Sequence, residues 1–367
     1  MKKILSLLLA ACLVISTTIV SNASDLGVYL LTKECPQNIH NYVNNNINNF
    51  LNSKSNEGEI SLEDITIGQV FSIEKENVSD LDVFYFPVFQ KGHLKYTFRV
   101  YEVDGNITGI LSPYLVKELL SVSGKTTTNN PARLSMNNGN IVTVINDKVT
   151  TIKKDPLGRS VNNYSINNEN YNNITVNINE KNDKNIIKGL HTSKRQLFSL
   201  DSVSSNNLSL DLAETQGQQS WCSAFAGAAI IRYKTHTNVF AKDIMKYYHP
   251  NSEKLEDEYI TNYQLIRYAQ RKGLYPRRRS YTLLLSSVVS QIDNSQPMYI
   301  GCEGRGDYEG ARHALVLRGY DKTNNTYSIW NPWYKYYETM PMDTKVYTVD
   351  PSASFKWDTT IYDWSKL

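Results

Sequence analysis

The sequence predicts an α+β chain of two folded units, and three observations carry that prediction. The length of 367 residues exceeds what one hydrophobic core ordinarily serves. An Asn-rich stretch from Ser160 to Lys188, with only Ile174, Val176 and Ile178 as an apolar run, buries too little surface to offset its ordering entropy and divides the chain. Helical and strand periodicities occur on both sides of that divide. The expected organisation is therefore residues 1–23 as an export signal, 24–159 as a first α+β unit, 160–195 as linker and cleavage region, and 196–367 as a second unit.

Taken in order, Lys2 and Lys3 precede an apolar run from Ile4 to Val20 that ends in Ser21-Asn22-Ala23, the pattern of a cleaved secretory signal. The product is expected to be secreted and to begin near Ser24. Leu9-Ala10-Ala11-Cys12 resembles a lipobox, so tethering through a lipidated Cys12 is the alternative to free secretion. Residues 36–52 space Ile39, Tyr42, Val43, Ile47 and Phe50 for an amphipathic helix. Val83 to Phe89 and Leu94 to Val103 read as strands around a Lys91-Gly92-His93 turn, and Asn140 to Ile152 reads as a hairpin turning at Asn146-Asp147. The first unit is expected to be built on a curved antiparallel sheet. After the linker, Lys194 and Arg195 form an exposed-looking basic site suited to proteolytic nicking.

The second unit reads as helices followed by strands. Cys222 to Tyr233 is small or apolar on most sides and predicts a central buried helix. Val239 to Tyr248, Thr261 to Arg271 and Thr282 to Ile292 are further helices. Pro297 to Cys302, His313 to Tyr320, Tyr327 to Trp330 and Lys345 to Val349 are strands, with a turn at Asn324-Asn325. Helices first and sheet second imply two lobes with a cleft between them.

Charge and cysteine content narrow the function classes. A net charge of +3, from 39 basic and 36 acidic residues, supplies no basic surface for nucleic acid, and no nucleic-acid partner is expected. Once Cys12 is removed with the signal, Cys35, Cys222 and Cys302 remain; they make neither a disulfide framework nor a C-x-x-C zinc pair. No metal and no cofactor are called for.

The segment QGQQSWCSAFAGAAII is the most informative in the chain. Gln216 stands six residues before Cys222, which opens the predicted helix, so an amide can lie beside a thiol held at a positive helix end. A nucleophilic thiol also needs a base and a group that orients it. His236 and His249 read as surface residues, whereas His313 opens the apolar strand HALVLRGY directly after the Gly-rich GCEGRGDYEGAR. Asn331 follows one strand and one turn later in IWNPW, within side-chain reach of His313 if the strands are antiparallel neighbours, and Trp333 can shield that bond. Cys302 reads as a buried structural thiol. The basic run Arg271, Lys272, Arg277, Arg278 and Arg279 reads as a solvated face or as a dock for the acidic segment Glu57 to Asp64.

The order Gln, Cys, His, Asn, with a Trp two residues after Asn, resembles the papain-like cysteine peptidases. ETQGQQSWC, ARHALVLRGY and IWNPW resemble the staphopain group of secreted bacterial enzymes, and the likeness covers essentially the whole second unit. Trp221 precedes the nucleophile where papain has a Trp after it, and papain's disulfide cysteines are missing; the first departure fits the staphopain pattern. The resemblance implies a papain-like two-lobe fold, a helical lobe beside an antiparallel sheet or barrel lobe. It implies Cys222 as nucleophile, His313 as general base and then acid, Asn331 as its orienting residue, Gln216 as oxyanion donor and Trp333 in support. It also implies a secreted endopeptidase acting on proteins and peptides, made as a zymogen whose own N-terminal prodomain blocks the cleft, with a proteinaceous inhibitor as a further partner and a monomeric state. Two other readings use the same residues. One is a surface-tethered binding or adhesion protein, with the aromatic stretch Trp333 to Tyr337 as contact surface, and the other is acyl transfer or leader processing.

Overall fold

The computed structural model describes residues 27–77, 80–156, 173–180 and 204–366. The export signal with Cys12, most of the Asn-rich stretch and the Lys194-Arg195 site lie outside the described residues.

In the N-terminal unit, β1 (Tyr29–Lys33) leads into α1 (Gln37–Asn56), whose Ile39, Val43, Ile47, Phe50 and Leu51 form one buried stripe at helical spacing. Then come β2 (Ile65–Ile67), β3 (Phe71–Ser72), β4 (Val83–Gln90), β5 (His93–Val103), β6 (Asn106–Ser112) and α2 (Val116–Val122). The β4–β5 turn places Lys91 and Gly92 at positive φ, as a two-residue hairpin requires. The remaining strands are β7 (Ala132–Asn137), β8 (Asn140–Ile145), β9 (Lys148–Lys153) and β10 (Asn173–Asn177), and Asn146 and Asp147 make the left-handed β8–β9 turn.

The C-terminal unit begins with β11 (Ser205–Asn207) and continues through α3 (Cys222–Thr235), α4 (Ala241–Tyr248) and α5 (Asn262–Arg271). Thr261 and Gln264 cap α5 reciprocally, with the Gln264 backbone N–H on Thr261 Oγ1 at 3.2 Å and the Thr261 N–H on Gln264 Oε1 at 2.8 Å. Next are β12 (Arg277–Arg279), α6 (Leu285–Asp293), β13 (Met298–Arg305), β14 (Arg312–Asp321), β15 (Thr326–Trp330), β16 (Tyr337–Pro341), β17 (Val346–Asp350) and β18 (Ala353–Tyr362).

The class is α+β, with a helical region beside a sheet, but the expected curved antiparallel sheet of the first unit, and the barrel alternative for the second, are incorrect. The N-terminal strands divide between two sheets. One is five-stranded, in the order β10-β1-β7-β8-β9, and contains the parallel pair β1 and β7. The others join the C-terminal strands in a 13-stranded sheet whose path runs openly from β12 to β2, so neither sheet curls into a closed form. The join is β6 against β16, with Thr339 opposite Leu111. An edge strand leaves backbone groups in need of partners, and local periodicity does not say which distant strand will supply them.

Strand alternation assigns the two faces of the C-terminal sheet to different cores. Tyr299, Ala314, Val316 and Trp330 pack with α3, α4 and α5. Their neighbours Ile300, Leu315, Leu317 and Ile329 face a core shared with α6 and with Tyr85, Tyr101 and Tyr114 of the N-terminal unit. The helix α3 lies very close to α5, since a Cβ on Gly227 would meet Leu265 Cδ1 at 2.2 Å. The acidic segment does not reach the Arg271 to Arg279 run. Glu57 instead meets Arg318 and Lys54, and Arg277 pairs with Asp363 at 3.1 Å.

Candidate active site

Three local features assemble the site. The first is the start of α3, where Cys222 is the first helical residue and is buried. The second is the start of β14, paired with β13 so that His313 lies opposite Cys302. The third is the turn after β15: the Asn331 carbonyl accepts the Tyr334 N–H at 3.0 Å, and the Pro332 carbonyl accepts the Gln216 backbone N–H at 2.8 Å. That last bond ties the loop before Cys222 to the loop carrying Asn331 and Trp333.

The structure brings the five expected residues together. Gln216, Cys222, His313 and Trp333 line one cleft of about 570 Å³, and Asn331 lies directly behind it, fully buried. Cys222 Sγ is 3.7 Å from the Arg312 carbonyl, beside the start of the His313 strand. His313 Nε2 and Asn331 Oδ1 are 3.0 Å apart. The imidazole stacks on Trp333, ring centres 4.0 Å apart and planes within 20°, and its other neighbour is Phe355 at 4.9 Å. Gln216 Nε2 donates to the Gln219 carbonyl at 2.6 Å, which anchors the amide and leaves its second N–H uncommitted by that bond. His249 instead contacts Glu258 and the Tyr259 carbonyl.

Three neighbours of Asn331 fix which way its amide points. The Trp333 backbone N–H donates to Asn331 Oδ1 at 3.0 Å, and Asn331 Nδ2 is 2.8 Å from the Tyr347 hydroxyl. That hydroxyl donates onward to Glu338. It can therefore only accept from Asn331, so Nδ2 faces Tyr347 and Oδ1 faces His313. The His313 proton then sits on Nε2, and Nδ1 carries the lone pair.

Burial opposes charge on both Cys222 and His313. Burial pushes the Cys222 thiol up, against the opposing pull of the Ser223 and Ala314 backbone N–H groups. Burial also pushes His313 down to about 4, with the Asn331 bond opposing. The expectation of a thiol depressed by the helix end is thus outweighed here by burial, which a sequence does not display. Cys302 is pushed up as well, by burial first, with the Asp358 carboxylate adding to it.

Residues 201–364 match the family model described as staphopain peptidase C47. Over those residues the C-terminal unit is similar to the staphopain family of cysteine peptidases. An extracellular cysteine protease of Staphylococcus epidermidis is 24% identical over 323 residues, covering 81% of this chain and 78% of that protein. Staphopain A of Staphylococcus aureus is 26% identical over 160 residues, 41% of each chain. Another extracellular cysteine protease sequence of S. epidermidis is 25% identical over 159 residues, covering 41% of this chain and 91% of that protein. The chain is accordingly a cysteine peptidase that acts on proteins or peptides.

Several residues of this site escaped sequence reasoning. Tyr347, Glu338 and Phe355 carry no motif; a carboxylate between Tyr337 and Met340 in a strand is the sole oddity. The aromatic run proposed as a contact surface is used internally. Tyr334 stacks on Tyr336 at 5.0 Å and edges onto Tyr114 at 5.9 Å, and the Tyr337 hydroxyl donates to the Leu210 carbonyl at 2.8 Å.

Proposed function

We propose that the chain is the secreted precursor of an endopeptidase in which Cys222 is the nucleophile, His313 the general base and then acid, Asn331 its orienting residue, and Gln216 with the Cys222 backbone N–H the oxyanion site. The observation that carries this reading is the amide geometry at Asn331, which leaves His313 Nδ1 as acceptor in the cleft that holds the Cys222 thiol. Cys222 gives its proton to Nδ1 as the sulfur attacks the peptide carbonyl. The tetrahedral oxyanion takes hydrogen bonds from the Gln216 amide and the Cys222 backbone N–H. Collapse expels the amine, protonated by His313, and leaves a thioester that water hydrolyses with His313 again as base.

Export is supported by the Lys2-Lys3 and apolar N-terminal pattern and by the extracellular relatives. Activation is proposed between Lys188 and Leu197, the cut that would separate the units. Inhibition by the N-terminal unit is part of this reading; among the described residues, those that line the cleft run from Gln216 to Phe355. That unit touches the cleft wall at Tyr308, which donates to Asp155 at 3.0 Å. Replacing Cys222 with Ala is expected to abolish casein hydrolysis by the trimmed protein while leaving its circular dichroism unchanged; hydrolysis retained in that variant would refute the assignment.

A further inference from the structure

The hydrogen bonds behind the cleft do not stop at Asn331. Asn331 Nδ2 donates to Tyr347, Tyr347 donates to Glu338, and Arg99 of the N-terminal unit donates to Glu338 Oε1 at 2.8 Å. Arg99 and Glu338 are both fully buried, and the Arg99 guanidinium lies 5.0 Å from the Tyr114 ring centre and 5.6 Å from that of Tyr347. The same unit braces the strand of Tyr347: the Tyr101 hydroxyl donates to the Val346 carbonyl at 3.0 Å and accepts the Thr348 N–H at 3.3 Å. We propose that Tyr347 and Glu338 are positioning residues that fix the orientation and tautomer of His313 through Asn331, and that Arg99 restrains this relay in the precursor by neutralising Glu338. The proposal rests on the reading of Cys222 and His313 as nucleophile and base.

Each link follows from donor and acceptor chemistry. Burial, and next the Glu338 carboxylate, push the Tyr347 phenol far above its ordinary value, so it remains a donor to Glu338. A phenol with its proton committed offers only lone pairs to Asn331, and an amide whose nitrogen is so held offers only oxygen to His313. Without Tyr347 the amide loses one of the bonds that set its orientation, and only the Trp333 N–H still holds Oδ1 toward His313. The charge of Glu338 adds to this. An imidazolium at His313 forms when the thiol gives up its proton, and a carboxylate at the far end of a hydrogen-bonded line stabilises it. Arg99 cancels that carboxylate while the N-terminal unit is attached. Facing the pair are Tyr101 on β5, Tyr114, Tyr334, Tyr336 and Tyr347, all kept protonated by burial, with the Lys153–Glu118 pair and Asp350 beyond them. A merely structural Arg99–Glu338 pair would hold the two units together without reaching the thiol.

The test is the pH profile of Cys222 alkylation by iodoacetamide in the full-length chain, with labelling of each cysteine resolved by mass spectrometry and buried Cys302 as the reporter of unfolding. Tyr347→Phe is expected to lower Cys222 labelling at neutral pH by about tenfold, with the strongly alkaline rate unchanged because the thiol then ionises without His313. Arg99→Met is expected to raise labelling at neutral pH by about tenfold, and adding Glu338→Gln is expected to cancel the rise. An unmoved profile in Tyr347→Phe overturns the positioning role. A rise in Arg99→Met that survives Glu338→Gln, or that Cys302 shares, overturns the restraint and makes Arg99 a structural tie. His313→Gln separates this from failure of the underlying reading: if it leaves the profile in place, His313 is not the base, whereas if it shifts the profile and Tyr347→Phe does not, the relay alone fails.

Discussion

The C-terminal sheet is covered on one face by its own helices and on the other largely by the N-terminal unit, and the two contacts differ in chemistry. Between α3 and the sheet the contact is dry and small: Ala226, Ala228, Ile230 and Ile231 meet Ala314, Val316 and Trp330, with Gly227 admitting Leu265. The other contact adds buried charge to the apolar core that Ile300, Leu315, Leu317 and Ile329 share with Tyr85, Tyr101 and Tyr114. Arg99 meets Glu338 with both fully buried, Lys54 lies between Glu57 and Glu59, and Arg318 meets Glu57 beneath the Tyr337 ring. Apolar contact of the first kind is favourable whenever water is present, whereas buried ion pairs roughly balance desolvation against attraction. The charged contact therefore depends on each pair staying complete, whereas the apolar one does not.

The charged joint is the more sensitive of the two to a single substitution. Arg99→Met leaves Glu338 buried without its cation and is expected to cost about 3 to 5 kcal/mol in urea unfolding of the full-length chain, and Arg99→Met with Glu338→Leu is expected to recover most of that loss. A small cost for the single change would make the joint apolar in effect. Acid probes the site on the same face. His313 is held near 4 while an unfolded histidine titrates near its ordinary 6.5, so the unfolded chain binds the extra proton first. His313 therefore contributes a loss of stability that begins as pH falls through about 6.5 and is complete near 4, on the order of 3 kcal/mol. His313→Phe should flatten that part of the stability curve. The smallest effect belongs to the apolar joint, where Ile231→Val removes one methylene and is expected to cost roughly 1 kcal/mol, with no second substitution across the sheet able to restore it.

What the sequence made legible were features written in short range. The α1 stripe, the Asn146-Asp147 turn and the central helix after Cys222 are patterns within a few residues, and Gln216, Cys222, His313, Asn331 and Trp333 could be singled out because each occupies a distinctive local segment. The join of β6 to β16 could not be read, because an unpaired edge carries no label for its partner; hence the error over the curved sheet. Nor could the Arg99–Glu338 pair, since a lone arginine in a strand at position 99 says nothing about a glutamate 239 residues away. The balance at the thiol was legible only in part for the same reason: a helix end is visible in sequence, and the burial that opposes it is a property of the packed molecule.

The most direct test of the account is where a peptidyl epoxide inhibitor attaches to the trimmed protein, read by mass spectrometry of its peptides. Attack by an activated nucleophile predicts one adduct, on Cys222, lost when His313 is replaced by Gln, with Cys302 unmodified. Equal modification of Cys302, or an adduct on Cys222 that forms as fast without His313, would contradict it.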